Sequence, residues 1–313
     1  MHSIDRRAFI ATTAAAAGLA LVSPSIGAEQ KSAAARKANR AKFKKGFMFG
    51  GLRAANKEEL SLQKRFEMLR EAGFEGTEVA SDLDQKEVIA ARDASGLKIP
   101  SVVISTHWNR PLSDPNPAVR QTGLEGLLRG LRDAKAYGAD SVLLVPGAVT
   151  KDVSYPDAYK RSIAEIKKAI PLAEELGVTI AIENVWNQFL LSPLEAVAYV
   201  DSFKSKYVQW HFDAGNVVNT GWPEQWVRVL GKRIVKVHIK EFSRTRRDKE
   251  GLRMGFQVDL FDGDSDWPRV MAALDEVGYS GWLITEQWRP PEMKDDMQWL
   301  RHLSAKLDKV IAA

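Results

Sequence analysis

VTIAIEN (178–184), YVQWHFD (207–213), IVKVHIKE (234–241) and GWLITEQ (281–287) are short apolar runs, each carrying near its end a side chain able to bind a metal. Those side chains are Glu183, Asp213, His238 and Glu286. Each run is rich in β-branched or aromatic residues and too short for a typical helix, so each is expected to be a buried strand. Helical patterns separate successive runs, the alternation that builds parallel sheets from βαβ units. Two Glu, one Asp and one His at successive strand ends form a mixed oxygen and nitrogen set suited to one divalent cation. A lone acidic strand end is commonly a helix cap. Four in consecutive strands point to a shared site.

The alternation extends upstream. GFMFGGL (46–52), FEGTEVA (74–80), LKIPSVVIST (97–106) and ADSVLLVPG (139–147) are the first four expected strands. Helical stripes are expected over 58–72, 85–94, 117–137, 155–176, 192–203, 223–230, 267–277 and 293–311. Glycines such as Gly73, Gly96, Gly138 and Gly177 mark helix ends, and Ser192-Pro193 opens a helix as cap and first-turn residue. Eight strands each followed by a helix, without a change of composition, predict one α/β domain, a single (β/α)8 TIM barrel over residues 45–313. In such barrels chemistry sits at the carboxyl ends of the strands, where all four candidate ligands fall.

The chain has 313 residues, 27% charged, with a formal net charge of +5. The basic residues are dispersed, and the run Arg244, Arg246, Arg247 is flanked by acids, which argues against a nucleic-acid partner. Absence of Cys excludes disulfides and thiolate metal sites. At the N-terminus, Arg6-Arg7 precedes an Ala-rich apolar stretch to Val22 and small residues at Gly27 and Ala28. Residues 1–28 are therefore expected to be a twin-arginine export signal, placing the protein in the periplasm or outside the cell. The run is too short for a stable membrane anchor. Residues 29–44, polar and basic, are expected to be a linker.

Strand parity supports the set. His211 and Asp213 share one face, as do His238 and Lys240. A carboxylate at a metal can also take a proton from carbon beside a carbonyl while the cation polarises that carbonyl. Two carboxylates from opposite sides of a barrel can address both faces of one carbon, which epimerisation requires.

With these residues in view, the chain from about Lys45 onward resembles the sugar phosphate isomerase/epimerase family, xylose-isomerase-like barrels that include ketose 3-epimerases. The stretches that carry the resemblance are ENVWNQFLLSP (183–193), FDAGNV (212–217), HIKEF (238–242), GDSDWPRVMAALDEVGYSGW (263–282) and TEQW (285–288). The resemblance implies metal ligation by Glu183, Asp213, His238 and Glu286, with manganese, magnesium, cobalt or zinc as the cofactor. It implies that Glu183 and Glu286 are the catalytic acid/base pair and that Arg244 contacts substrate. The chain departs from the epimerase pattern twice. Asn216 stands where a His usually follows the metal-binding Asp, and Phe189 stands where a substrate-binding Glu is usual.

Asn216 is nevertheless placed with His107, Lys240, Arg244 and Trp186 as the candidate substrate-binding set. His107 could hydrogen-bond a sugar hydroxyl, Lys240 could neutralise an oxyanion, and Trp186, with Trp108 and Trp288, suits stacking on a sugar face. His211 reads as packed interior and His302 as surface. The expected function is metal-dependent isomerisation or epimerisation of an unphosphorylated sugar or polyol through an enediolate. The alternatives are a metal-dependent lyase or dehydratase and a non-catalytic sugar-binding protein. The expected partner is a small sugar, and a homo-oligomer is left open.

Overall fold

A computed structural model describes residues 38–51 and 60–313. The export signal at 1–28, the first part of the linker and the start of the helix expected at 58–72 lie outside these residues. Eight parallel strands close into a barrel in sequence order. They are β1 (Lys44–Met48), β2 (Gly76–Ala80), β3 (Ser101–Val103), β4 (Ser141–Leu144), β5 (Thr179–Glu183), β6 (Val208–Asp213), β7 (Ile234–Ile239) and β8 (Trp282–Thr285). β1 pairs with β8, which closes the ring and leaves no edge strand among the described residues.

The long helices are Leu62–Glu71, Gln85–Ser95, Pro117–Tyr137, Tyr155–Leu176, Pro193–Asp201, Pro223–Leu230, Trp267–Val277 and Asp296–Ala312. Their ends follow from local chemistry. Ser61, Asp84, Asn116, Ser154, Ser192, Asp266 and Asp295 each accept a backbone N–H of the first turn. Their apolar faces pack on the barrel in one core that includes Phe47, Phe66, Tyr199, Trp210, Trp267 and Trp299.

Two details set the geometry of the site. Trp210 pairs with Ile234 but His211 pairs with Lys236, so β7 carries one extra residue at that point. The bulge puts His238 beside Asp213, where unbroken register would have put Val237. A Cβ on Gly215 would sit 2.5 Å from the Lys240 carbonyl oxygen, so only glycine lets the turn after Asp213 lie against the end of β7.

The structure revises some boundaries. Packed chain begins before residue 45: Asn39 and Arg40 bond Asp275, Asn39 also reaches the Tyr279 carbonyl, and Phe43 is buried. The end of the expected linker is thus barrel structure, because its polar side chains find fixed partners. Short helices at Ala214–Val218 and Arg244–Glu250, and a 3-10 turn at Leu252–Phe256, were not expected. None is long enough to display an apolar stripe.

Candidate active site

Glu183 ends β5, Asp213 ends β6, His238 is the penultimate residue of β7, and Glu286 follows β8 directly. The barrel brings all four together. His238 Nδ1 lies 3.0 Å from Glu183 Oε1, 3.3 Å from Glu286 Oε2 and 3.7 Å from Asp213 Oδ2. One donor atom from each of the four falls within 4.8 Å of the others. Asp213 also caps the helix that follows it, accepting the Asn216 N–H on Oδ1 at 2.8 Å, which leaves Oδ2 for the cluster. Three carboxylates and one imidazole nitrogen aimed at one point can hold a divalent cation.

Lys240, two residues beyond His238, places Nζ 2.6 Å from Glu286 Oε2 and 2.9 Å from Asp213 Oδ2. The ammonium partly offsets the concentrated negative charge and rests 5.2 Å from the Phe256 ring centre. The two glutamates consequently differ. Burial pushes Glu183 up to about 7, its neighbouring carboxylates adding to the rise against the pull of His238. Burial would also raise Glu286, but Lys240 and His238 outweigh it and hold that carboxyl well below its ordinary value. Burial likewise disfavours charge on His238, yet Glu78 and the three cluster carboxylates raise it well above the usual histidine range.

A cavity of about 390 Å³ opens over the cluster. Glu183, Glu286, Lys240, His107, Asn216 and Trp186 all line it, together with Trp108 and Trp288. His107 Nδ1 accepts the Val145 backbone N–H at 3.2 Å, and burial lowers its pKa to about 4. A neutral ring with Nδ1 engaged as acceptor carries its proton on Nε2, so His107 offers the cavity a fixed N–H donor. Trp186 donates Nε1–H to the Asn216 carbonyl at 2.9 Å and packs 4.8 Å from Phe256. The Asn216 amide in turn donates to the Asn184 carbonyl at 2.9 Å.

Arg244 is placed elsewhere. Its guanidinium donates to the carbonyls of Val218 and Gly221 and lies 5.4 Å from the Trp222 ring centre, outside the residues that line the cavity. The short helix at Arg244–Glu250 directs it to the neighbouring loop. Arg253, nine residues on, lines the cavity instead. Phe189 points away, buried among Tyr155, Tyr159 and Tyr199. His211 is fully buried. His302, expected at the surface, is half-buried and bonded to Asp259 at 2.7 Å.

Several contributors escaped the sequence reading. Phe256 and Arg253 belong to the excursion between β7 and the helix at Trp267–Val277, and Glu241 pins it. Its carboxylate accepts the backbone N–H groups of Phe261 at 2.9 Å and Ser265 at 3.0 Å, and the Trp267 indole N–H at 2.7 Å. Gln287 ties the same excursion to β8 through the Glu241 N–H and the Val258 carbonyl. Glu78 on β2 bonds His238 Nε2 at 2.7 Å. The signal for Glu78 was present: a single carboxylate within the otherwise uncharged strand GTEVA.

The chain is similar to known proteins in sequence and in fold. An L-ribulose-5-phosphate 3-epimerase of Escherichia coli O1:K1 is 25% identical over 228 residues, covering 70% of this chain and 77% of that protein. Among solved structures, a D-psicose 3-epimerase in the presence of D-fructose superposes with a TM-score of 0.70 at 17% identity, covering 86% of this chain and all of that one (100%). The apo 3-keto-D-glucoside 4-epimerase YcjR of E. coli gives a TM-score of 0.70 at 17% identity, covering 87% of this chain and 99% of that one. The xylose isomerase-like TIM barrel family matches residues 66–303. Because that match runs from the helix after β1 into the C-terminal helix, it describes the barrel itself, and the chain belongs to the xylose isomerase-like TIM barrel family.

Proposed function

We propose that this enzyme is a divalent-metal-dependent isomerase or epimerase of an unphosphorylated sugar or polyol. One observation carries the reading: two glutamates, with Asp213 and His238, form a four-donor cluster at the floor of a polar and aromatic cavity. Glu183, Asp213, His238 and Glu286 would hold the cation. A manganese, magnesium, cobalt or zinc ion held there would supply Lewis-acid polarisation of a substrate carbonyl and offset the negative charge of the enediolate.

The protein's own groups do the proton work. Glu183 and Glu286, from strand ends on different parts of the ring, are suited to exchange the proton at the carbon next to the carbonyl, one taking it and the other returning one. If the two act on opposite faces, the carbon is inverted. His107 donates Nε2–H to a substrate oxygen, and Trp108, Trp186, Phe256 and Trp288 supply apolar faces for the sugar ring.

The named relative acts on a phosphate ester, whereas the solved neighbours are named for a free ketose and a keto-glucoside. Two features favour the free sugar here. Among the described residues lining the cavity, Lys240 and Arg253 are the cations, and Lys240 is already engaged by two carboxylates. The Arg6-Arg7 export signal would also carry the enzyme past the cytoplasmic membrane, where phosphorylated sugars are scarce. The test is a screen of the metal-reconstituted protein against free ketoses, their phosphate esters, 3-keto-glycosides and inosones, read by mass and NMR. Turnover of an unphosphorylated substrate to a product of the same mass supports the proposal. A product lacking water or an aglycone would replace it with a β-eliminating lyase.

A further inference from the structure

We infer that Glu78 is the positioning residue of the cation site, holding His238 by its Nε2–H so that Nδ1 faces the three carboxylates. The inference rests on the reading of the four-donor cluster as a metal site. Glu78 sits on β2, across the barrel from β7, and both side chains are fully buried. Its Oε2 lies 2.7 Å from His238 Nε2, while Nδ1 of the same ring faces Glu183, Glu286 and Asp213. The ring is therefore spanned: one nitrogen is anchored below and the other is presented above.

A plainly structural role fits poorly. A carboxylate withdrawn into a barrel interior is costly and is best tolerated when all its oxygens are satisfied. Among the described residues only Oε2 is bonded; Oε1 has no hydrogen-bond partner, and His211 Nδ1 stands 3.9 Å from it, beyond bonding reach. Among the described residues His211 itself has no partner on either nitrogen, so it adds no second hydrogen bond. Among the described residues, the hydrogen bond of this carboxylate goes to His238. A carboxylate on the far nitrogen of a metal-binding histidine fixes the tautomer and the ring plane and makes the free nitrogen more basic.

The test uses full-length protein stripped of metal, with Glu78→Gln and Glu78→Leu beside wild type. Manganese affinity is measured calorimetrically. Glu78→Leu should bind about 10–100-fold more weakly, the range for losing such a partner, with Glu78→Gln between it and wild type because an amide oxygen still accepts Nε2–H. Circular dichroism in saturating manganese checks the fold. Histidine-selective ¹⁵N NMR of zinc-loaded wild type supplies a readout that needs no variant: His238 should carry its proton on Nε2. Wild-type affinity in both folded variants, or a proton on His238 Nδ1 in the loaded wild type, overturns the role of Glu78 alone. Wild type that binds no manganese overturns the metal reading and this inference with it.

Discussion

Replacing His107 with glutamine should remove a measurable part of the acid sensitivity of the fold. In the folded protein burial lowers the His107 pKa to about 4, against an ordinary value of 6.5. Between these values the unfolded chain binds more protons than the folded one, so His107 makes stability fall as pH drops from 6.5 toward 4. At pH 5 the unfolded histidine is mostly protonated and the folded one mostly neutral. The 1.5 pH units below 6.5, at about 1.36 kcal/mol each, amount to about 2 kcal/mol lost at pH 5, against almost none at pH 7. Glutamine can still accept the Val145 N–H but does not titrate. The variant carries some fixed cost, which cancels when each protein is compared with itself at the two pH values. Urea unfolding of both proteins at pH 7 and pH 5 gives the double difference. The wild type should lose about 2 kcal/mol more than the variant between the two. Equal losses would mean that His107 titrates normally and does not present the cavity with a fixed neutral donor.

Two further outcomes are expected. Glu183→Gln and Glu286→Gln should each retain the fold and much of the metal binding, since an amide oxygen still ligates, yet lose about 10²–10⁴-fold in kcat because it cannot carry a proton; calorimetry and initial rates separate the two effects. A free ketose should have a higher kcat/KM than its phosphate ester, and a preference of about 100-fold for the ester, near 2.7 kcal/mol, would refute the unphosphorylated reading.

The barrel was legible because its strands and helices are locally consistent. Helices such as Pro117–Tyr137, Tyr155–Leu176 and Trp267–Val277 begin with a capping residue and proline and end at a left-handed glycine, signals that reside in a few adjacent residues. The four cluster residues were legible because strand ends converge in any closed barrel. What depends on loop paths was not. Arg244 and Arg253 lie nine residues apart in one basic segment, and only the short helix and turn between them decide which reaches the cavity. Glu78 faces His238 from 160 residues away, a role that appears only when the barrel closes, and Glu241 faces the excursion that follows it, a role that appears only when that excursion folds back. The extra residue on β7 was equally invisible, since IVKVHIK reads as an uninterrupted strand.

Proton transfer by two glutamates at carbon beside a carbonyl is tested most directly by running the metal-loaded enzyme in D₂O on a substrate it turns over and reading substrate and product by NMR and mass. The product should carry one deuterium at the carbon next to the carbonyl and be otherwise unchanged in mass. Turnover with no deuterium at that carbon would contradict it and point to an internal hydride shift.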